Sequence, residues 1–597
     1  MQIEHIFNAV KTKEENNKLI ESQEFKKGYW REKKENYAYD EKYPHDFARL
    51  YYHALVPSKN SAIISKYDDE KIENLTQKLG DDLLLISGDF WGIQKFIFDG
   101  LTSSKASKIL RSRSAMVQLM TYAVVAKIKK EFIDSDTLLF GAGKFMILAK
   151  NENNQRVKTI QEELDSYFLK NFFGQNGFIL SSTTTTKEKL LNQSSMENDL
   201  DNLGRDNDTK KLNKFDLLNV KDDDIVIDPF KNANPTDNTS CKFCNKRIET
   251  HRVDNDTKAC HVCFYQIELG KRLTKKRYIS IYESENIETK ENIEIIKLGD
   301  NYYYASFDDN ADKLYGEIFD ISSDDYFDYP KWSLNSYVVK KESGEIKDFS
   351  VLAQNSSGLM ALKADIDKLG DTFRELYKED FRKFNRLSRE VEFFFSDYIT
   401  SLLKDKNIYT VFAGGDDLFI IGEYREIVKI AKTIRDEFYK FSLQKTTISM
   451  GLVMFKPTTP INFVSKLADE AEARAKIERD SIDIFGVSMK FDEFLEIEEA
   501  FEKVTIFLEK ENDDKTALYY RLIELCDMRE NINTDVRNAM WKSKLNYLFR
   551  RNVKQEDNDS KIFDIVNRLI EKGEKFKPSL FLKIYQNRDK TKEKRDD

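Results

Sequence analysis

Three aspartates are the residues of this chain best suited to chemistry. The stretch Val411-Phe412-Ala413-Gly414-Gly415-Asp416-Asp417-Leu418-Phe419-Ile420-Ile421 sets Gly-Gly-Asp-Asp between two apolar runs. That pattern predicts a β-hairpin whose glycines allow a tight turn and leave room for a substrate. Adjacent carboxylates at a turn repel each other unless a cation or a contact within the fold offsets the repulsion. A second acidic strand candidate, Leu362-Lys363-Ala364-Asp365-Ile366-Asp367, places Asp365 51 positions before Asp416. Carboxylates from two strands, brought together, make a hard oxygen site for Mg²⁺ or Mn²⁺ and through it for phosphates. Taken alone, Gly-Gly-Asp-Asp is also readable as a polar turn with no chemistry. On the metal reading, Asp365 and Asp416 are ligands, with the Ile366 carbonyl as a further oxygen. Asp417 is a ligand or a nearby base, and Gly414 and Gly415 leave space for the base and sugar of a nucleotide. The expected reaction is nucleotidyl transfer from a triphosphate, carried by positioning and electrostatics. Lys476, near the end of an alanine-rich helical stretch, is either a phosphate contact or an ordinary solvated lysine.

A second cluster holds four of the five cysteines. Cys241-Lys242-Phe243-Cys244 and Cys260-His261-Val262-Cys263 are separated by 15 residues. This is the two-knuckle spacing of a zinc ribbon, and four thiolates around Zn²⁺ leave no open position for catalysis. Cys241, Cys244, Cys260 and Cys263 are therefore read as ligands of a structural zinc, with His251 and His261 outside the set. Cys526 has no partner and reads as a helical core thiol.

The elements that must carry these residues recur twice, in an α+β chain. From 81 to about 185, apolar runs alternate as strand, helix, hairpin, helix and strand, a β-α-β-β-α-β order of the ferredoxin-like kind. The same order recurs from 355 to about 494 around the Gly-Gly-Asp-Asp hairpin. Phe140 to Leu148 aligns with Phe412 to Ile420, and Gly88-Asp89-Phe90-Trp91 with Ala364-Asp365-Ile366-Asp367. Asp89 and Lys144 lie 55 positions apart, against 51 for Asp365 and Asp416. An internal repeat is stronger evidence for a fold than either segment alone. The first copy carries Lys144-Phe145 where the second has two aspartates, so only the second is equipped to hold metal. The expected division is 1–80 a short helical region, 81–195 a degenerate first palm, and 196–350 a linker domain with the zinc module. The catalytic palm then spans 351–494 and a helical C-terminal domain 495–597, with a frayed tail after Asn587. Residues 181 to about 240 read as linker or insertion, and the strands between 275 and 350 have no arrangement legible from sequence.

Bulk properties narrow the partners. The chain has 597 residues, 34% charged and 40% hydrophobic, with net charge −8. That composition is globular, and it disfavours non-specific capture of nucleic acid, so RNA contacts must come from local basic stretches or partner proteins. No apolar run spans a bilayer and no signal peptide opens the chain, so a cytoplasmic location is expected. His45-Asp46 is the dipeptide of HD phosphohydrolases, but Pro44 precedes it and no Gly-Lys follows. It reads as a solvated helix start.

Two palms, a four-cysteine module between them and a helical C-terminal domain resemble the large subunit of type III CRISPR effector complexes, subtype III-A above all. The carriers are Gly88 to Phe98, Leu110-Arg111-Ser112-Arg113-Ser114, Gly143-Lys144-Phe145, the cysteines, Leu362 to Gly370 and Phe412 to Asp417. The second palm also resembles diguanylate cyclases, departing from them at Leu418, where those enzymes carry phenylalanine. The family resemblance implies ATP-dependent synthesis of 3′–5′ cyclic oligoadenylates when guide RNA pairs with target RNA. It implies as partners the subunit holding the guide RNA 5′ end and a small helical subunit near the C-terminal domain. Family members mostly begin with an HD nuclease that cuts single-stranded DNA; its absence is expected here, because only about 80 residues precede the first palm. The alternatives are a catalytically silent RNA-binding scaffold and a single-strand DNase using a divergent HD site.

Overall fold

The computed structural model describes residues 72–596, except 102–105, 142, 153, 192–195, 219–238, 255–256, 287–291, 323–328, 330–331, 333, 335–337, 341–345, 355, 380, 404–405, 443–445, 509–514 and 553–558. The His45-Asp46 expectation lies outside the described residues, as does all of the N-terminal region before 72.

Strands β1 (Asp82–Trp91), β2 (Asp136–Gly141), β3 (Lys144–Lys150) and β4 (Gly177–Thr186) form a four-stranded sheet in the order β2-β3-β1-β4. All pairs are antiparallel. Helices Ala106–Glu131 and Gln155–Phe172 supply the two crossovers. Leu83 and Leu85 enter one core while Leu84 and Ile86 enter another. A strand buried on both faces reads as an unbroken apolar run, which is what 83–86 shows.

The second sheet repeats this order. β11 (Leu359–Ile366), β12 (Ile408–Gly414), β13 (Asp417–Glu423) and β14 (Ile448–Phe455) pair as β12-β13-β11-β14. The two hairpins match down to an irregularity: the register slips between Thr137 and Leu139 in β2, and between Thr410 and Phe412 in β12. This bulge corrects the sequence alignment by one position. Gly141 pairs with Lys144 where Gly414 pairs with Asp417, so Lys144 stands in the place of Asp417, and Gly143 in that of Asp416. The apolar runs tolerate a one-residue shift, and only the ladder removes the ambiguity.

Two further strands, β15 (Ser481–Ile484) and β16 (Val487–Lys490), extend the second sheet beyond β14, β15 running parallel to it. They are too short to announce themselves in sequence. The helical stretch between β11 and β12 includes Phe381–Phe393, a π-helical turn Phe394–Tyr398 and Ile399–Leu403. The stretch after β4 is not merely linker: helix Glu197–Leu212 lies along β4. Between the repeats, after the short antiparallel pair β5 (His251–Arg252) and β6 (Lys258–Ala259), β7 (Tyr278–Ser284), β8 (Ile293–Leu298), β9 (Asn301–Asp308) and β10 (Glu317–Asp320) form an antiparallel sheet in the order β10-β7-β9-β8.

One core runs through the first repeat, the cysteine module, the middle sheet and one face of the second sheet, taking in Leu359, Ala361, Tyr409, Phe419 and Ile421. The opposite face, with Met360, Leu362, Ala364 and Ile420, packs on Tyr424–Phe441 and on the C-terminal helices. The repeats embrace reciprocally: Ala106–Glu131 touches β12, and Phe381–Phe393 touches β2. The C-terminal helix Lys577–Asp596 does not fray at Asn587. Asp589 is buried there, accepting hydrogen bonds from Tyr424 Oη (2.9 Å) and Ser357 Oγ (2.5 Å), so a charged residue in a lysine-rich tail is an anchor.

Helix Ile461–Glu478 seats on the sheet through Gly451. A Cβ on Gly451 would lie 2.3 Å from the Glu472 amide nitrogen and 2.7 Å from the Ala471 carbonyl carbon. Ala468, Ala471 and Ala475 complete the small contact stripe. Substituting Gly451→Ala must push the helix outward, at a cost of about 1–3 kcal/mol. A clearly lowered thermal midpoint is expected; an unchanged one would show that the helix does not depend on this approach.

Candidate nucleotidyl-transfer site

The ladder sets Asp365 directly opposite Asp417, as the last paired residue of β11 against the first of β13. Directly opposed side chains in an antiparallel pair start about 5 Å apart at Cβ. Gly414 closes β12 opposite Asp417, leaving Gly415 and Asp416 as a two-residue turn. Gly415 has φ of 64°, a conformation that favours glycine. Ile366 is the buried final residue of β11. Lys476, from the helix seated on Gly451, forms an ion pair with Asp365 and a second with Glu472 at 3.0 Å. The structure thus brings Asp365, Ile366, Gly414, Gly415, Asp416, Asp417 and Lys476 to one end of the second sheet.

The carboxylates are not gathered into a closed cage. Among the described residues, the four cysteines form the one group of three or more candidate ligands whose donor atoms converge within 4.8 Å. Burial, then the neighbouring Asp416 charge, pushes the Asp417 carboxyl up to about 6; Lys363 and Lys144 pull the other way. Lys144 belongs to the hairpin of the first repeat, so the two hairpin tips share one electrostatic field. Excess negative charge of this kind on oxygen donors suits a hard divalent cation, and the donor set fits Mg²⁺.

Further residues complete the site. Lys363 lies two positions before Asp365, hence on the same strand face, and is buried. Burial opposes its charge, but Asp469 at 2.7 Å outweighs that and holds Lys363 above the ordinary lysine range. Glu472 stands 3.6 Å from Lys363, its carboxyl raised by burial. With its amide turned to satisfy both ends, Gln94 of the first repeat bonds Asp469 and accepts from Lys363 at 2.7 Å, tying the repeats together beside the aspartates. Asp367 is structural: it accepts from Thr447 Oγ1 (2.6 Å), Ser449 Oγ (2.8 Å) and the Asp480 amide (2.8 Å), pinning the end of β11. Arg474 is committed to Asp483 at 2.8 and 3.0 Å. The spacing of Glu472 and Lys476, four apart on one helix, was the available sequence signal for that pair.

The first repeat shows the contrast. Asp89 faces Lys144 across β1 and β3, and is paired with Lys211 at 2.5 Å and with Asn207 at 3.2 Å. Its charge is already neutralised by the chain.

In the cysteine module, Sγ of Cys244 and Cys260 stand 3.8 Å apart. Tetrahedral Zn²⁺ with Zn–S near 2.3 Å requires sulfur separations of about 3.8 Å. Amides of Cys260 and Cys263 donate to Cys241 Sγ (3.3 Å) and Cys260 Sγ (3.4 Å), as thiolates at a zinc site require. His251 stacks on Phe264, with His261 beside it, neither joining the sulfur cluster. Cys526 is buried among the C-terminal helices, its thiol pushed up to about 12 by that burial.

Residues 359–483 match the family model described as Cas10/Cmr2, second palm domain, and 82–227 match Csm1 subunit domain B. Two curated relatives are named CRISPR system single-strand-specific deoxyribonuclease Cas10/Csm1 (subtype III-A). The protein from Streptococcus thermophilus is 24% identical over 536 residues, covering 85% of this chain and 66% of the relative. That from Enterococcus italicus is 26% identical over 517 residues, covering 83% and 65%. The chain therefore spans just under two thirds of the length of these relatives. A Csm1–Csm4 cassette in complex with pppApA superposes with a TM-score of 0.64 at 18% identity, over 90% of this chain and 74% of that one. A cassette with AMPPNP gives 0.63 at 19%, over 90% and 73%, and one with cA4 gives 0.61 at 18%, over 90% and 74%. No helix among the described residues is long and apolar enough to cross a membrane.

The raised Asp417 carboxyl has a consequence for stability. Its folded value near 6 exceeds the ordinary 3.8, so its contribution is complete below about pH 4 and lost as pH rises through 6. In chelator, Asp417→Asn should raise the thermal midpoint, more at about pH 7.5 than at about pH 5. A gain independent of pH would show that Asp417 ionisation carries no cost.

Proposed function

The chain belongs to the Cas10/Csm1 large subunits of type III-A CRISPR complexes, and on that premise we propose that its second palm converts ATP to cyclic oligoadenylates when the assembled complex binds target RNA. The observation that carries the reading is the cross-strand pairing of Asp365 with Asp417 beside the Gly415-Asp416 turn. It opposes two carboxylates where the first repeat opposes aspartate to lysine. Asp365, Asp416 and Asp417 are the residues to hold Mg²⁺, or Mn²⁺, with the Ile366 carbonyl beside them. The metal, when bound, neutralises the triphosphate and lowers the pKa of the attacking ribose hydroxyl. Gly414 and Gly415 keep the tip free of side chains, so a nucleotide can approach the backbone. Lys476 is held at Asp365 within reach of the place where phosphate charge gathers. Lys363, fixed by Asp469, keeps the face behind the aspartates from becoming purely acidic. Solved Csm1–Csm4 cassettes have AMPPNP, pppApA and cA4 as ligands, which supports this substrate and product class.

The proposed partners are guide RNA, target RNA, a subunit in the place that Csm4 takes in those cassettes, holding the guide 5′ end, and a small helical subunit near the C-terminal domain. The proposed location is the cytoplasm. The four cysteines are proposed to hold a structural Zn²⁺. A single-strand DNase is the second reading, favoured by the curated names of the relatives. Metal-dependent cutting of single-stranded DNA that is lost on His45→Ala would establish it.

With ATP, Mg²⁺ and target RNA, the assembled complex should yield oligoadenylate. The double variant Asp416→Ala/Asp417→Ala should lower the yield on the order of 10²-fold or more. Equal product from the variant would refute the assignment and leave a scaffold role. Metal analysis should find about one zinc per chain, and Cys244→Ser should lose it with a drop in thermal midpoint. A zinc-free wild type of undiminished stability would overturn the zinc site.

A further inference from the structure

Glu392 lies near the end of helix Phe381–Phe393, 24 positions before Asp416, in a stretch whose sequence advertises nothing but amphipathic helix. Its Oε2 accepts the Gly415 amide at 2.5 Å. The same oxygen lies against the tip of the other hairpin, 3.3 Å from where a Cβ on Gly141 would stand. One side chain therefore touches both tips.

The Gly415 tip has little else to hold it. A Cβ built there would meet no atom of the described residues within 4 Å, so packing by them does not restrain the turn. Gly415 and Asp416 are the two residues outside the ladder, and a glycine turn costs the most conformational freedom to fix. A carboxylate accepting a backbone N–H is a charge-assisted bond, about twice as strong as a neutral one. Glu392 itself is held on firm ground. Its helix packs on β2 of the first repeat, and the π-helical turn that follows buries Phe394, Phe395 and Tyr398. A π-turn resets the phase of a helix, and such turns gather at functional sites. Here it lets three aromatics enter the second core while Glu392 faces the seam between the repeats.

We propose that Glu392 is the positioning residue of the Gly414–Asp417 turn, fixing the tip so that Asp416 and Asp417 are presented to metal and nucleotide and keeping the two hairpin tips in register. This rests on the nucleotidyl-transfer reading for its effect on rate, but not for its effect on the turn. A Gln side chain keeps a carbonyl acceptor in the same place, whereas Ala does not.

Hydrogen–deuterium exchange on the full chain tests the turn directly. In Glu392→Ala the amides of residues 412–418 should exchange about tenfold faster than in wild type, and in Glu392→Gln, which keeps a neutral acceptor, the increase should be clearly smaller. Unchanged exchange in Glu392→Ala overturns the proposal, whether or not the protein makes product. In the assembled complex with ATP, Mg²⁺ and target RNA, Glu392→Ala should lower kcat about 10- to 100-fold with little change in KM or in the Mg²⁺ requirement, and Glu392→Gln should recover most of it. If Glu392→Gln is as impaired as Glu392→Ala and needs more Mg²⁺, the residue is a metal ligand and the positioning role is wrong. If the wild type makes no oligoadenylate, the functional reading fails while the exchange result still decides the role of Glu392 in the turn.

Discussion

The close approach of helix Ile461–Glu478 to the second sheet at Gly451 is the contact on which the site depends. Gly451 is the direct neighbour of Lys363 across β11 and β14. With no side chain there, the helix backbone comes down onto the strand, and its own residues reach over β11. Asp469 and Glu472 then meet Lys363, and Lys476 meets Asp365. Helix and strand periods differ, so such a row of contacts needs one fixed point of close approach to set the phase. The alanines of this helix serve that approach, and its charges are left to line the site.

The two repeats show how one fold hosts different charge arrangements. Their hairpins share even the position of the bulge, yet the cross-strand pair is Asp89 with Lys144 in one and Asp365 with Asp417 in the other. In the first repeat the aspartate is neutralised by Lys211. The second accumulates negative charge, which adds to burial in raising the Asp417 carboxyl and which Lys363 and Lys144 only partly offset. Because the repeats embrace reciprocally, Lys144 is brought to bear on Asp417, and Gln94 reaches the Lys363–Asp469 pair. The first repeat is thus part of the electrostatic surroundings of the second, not a separate body.

Much of this was legible in the chain. The strand order of both repeats, the hairpin, the cysteine spacing and the buried Cys526 follow from apolar runs, turn glycines and short-range spacing. Other parts were not. Residue types alone align Phe140-Gly141 with Phe412-Ala413, one position off the register that the two ladders set, because apolar runs tolerate a one-residue shift. The helix along β4 and the final helix look like polar linker and tail by composition. Asp589 is an anchor only because Tyr424 and Ser357 converge on it from far along the chain.

Residue type and local spacing alone pick out Asp365, Asp416, Asp417 and the four cysteines as the groups suited to chemistry. Their surroundings come from the packing of distant segments. Lys363, Glu472, Gln94 and Glu392 come from four separate elements, and Lys144 and Gln94 from the other repeat. Their roles arise from distances between segments that no local period encodes. A carboxylate or an amide is ordinary surface chemistry until packing removes water and supplies its partner.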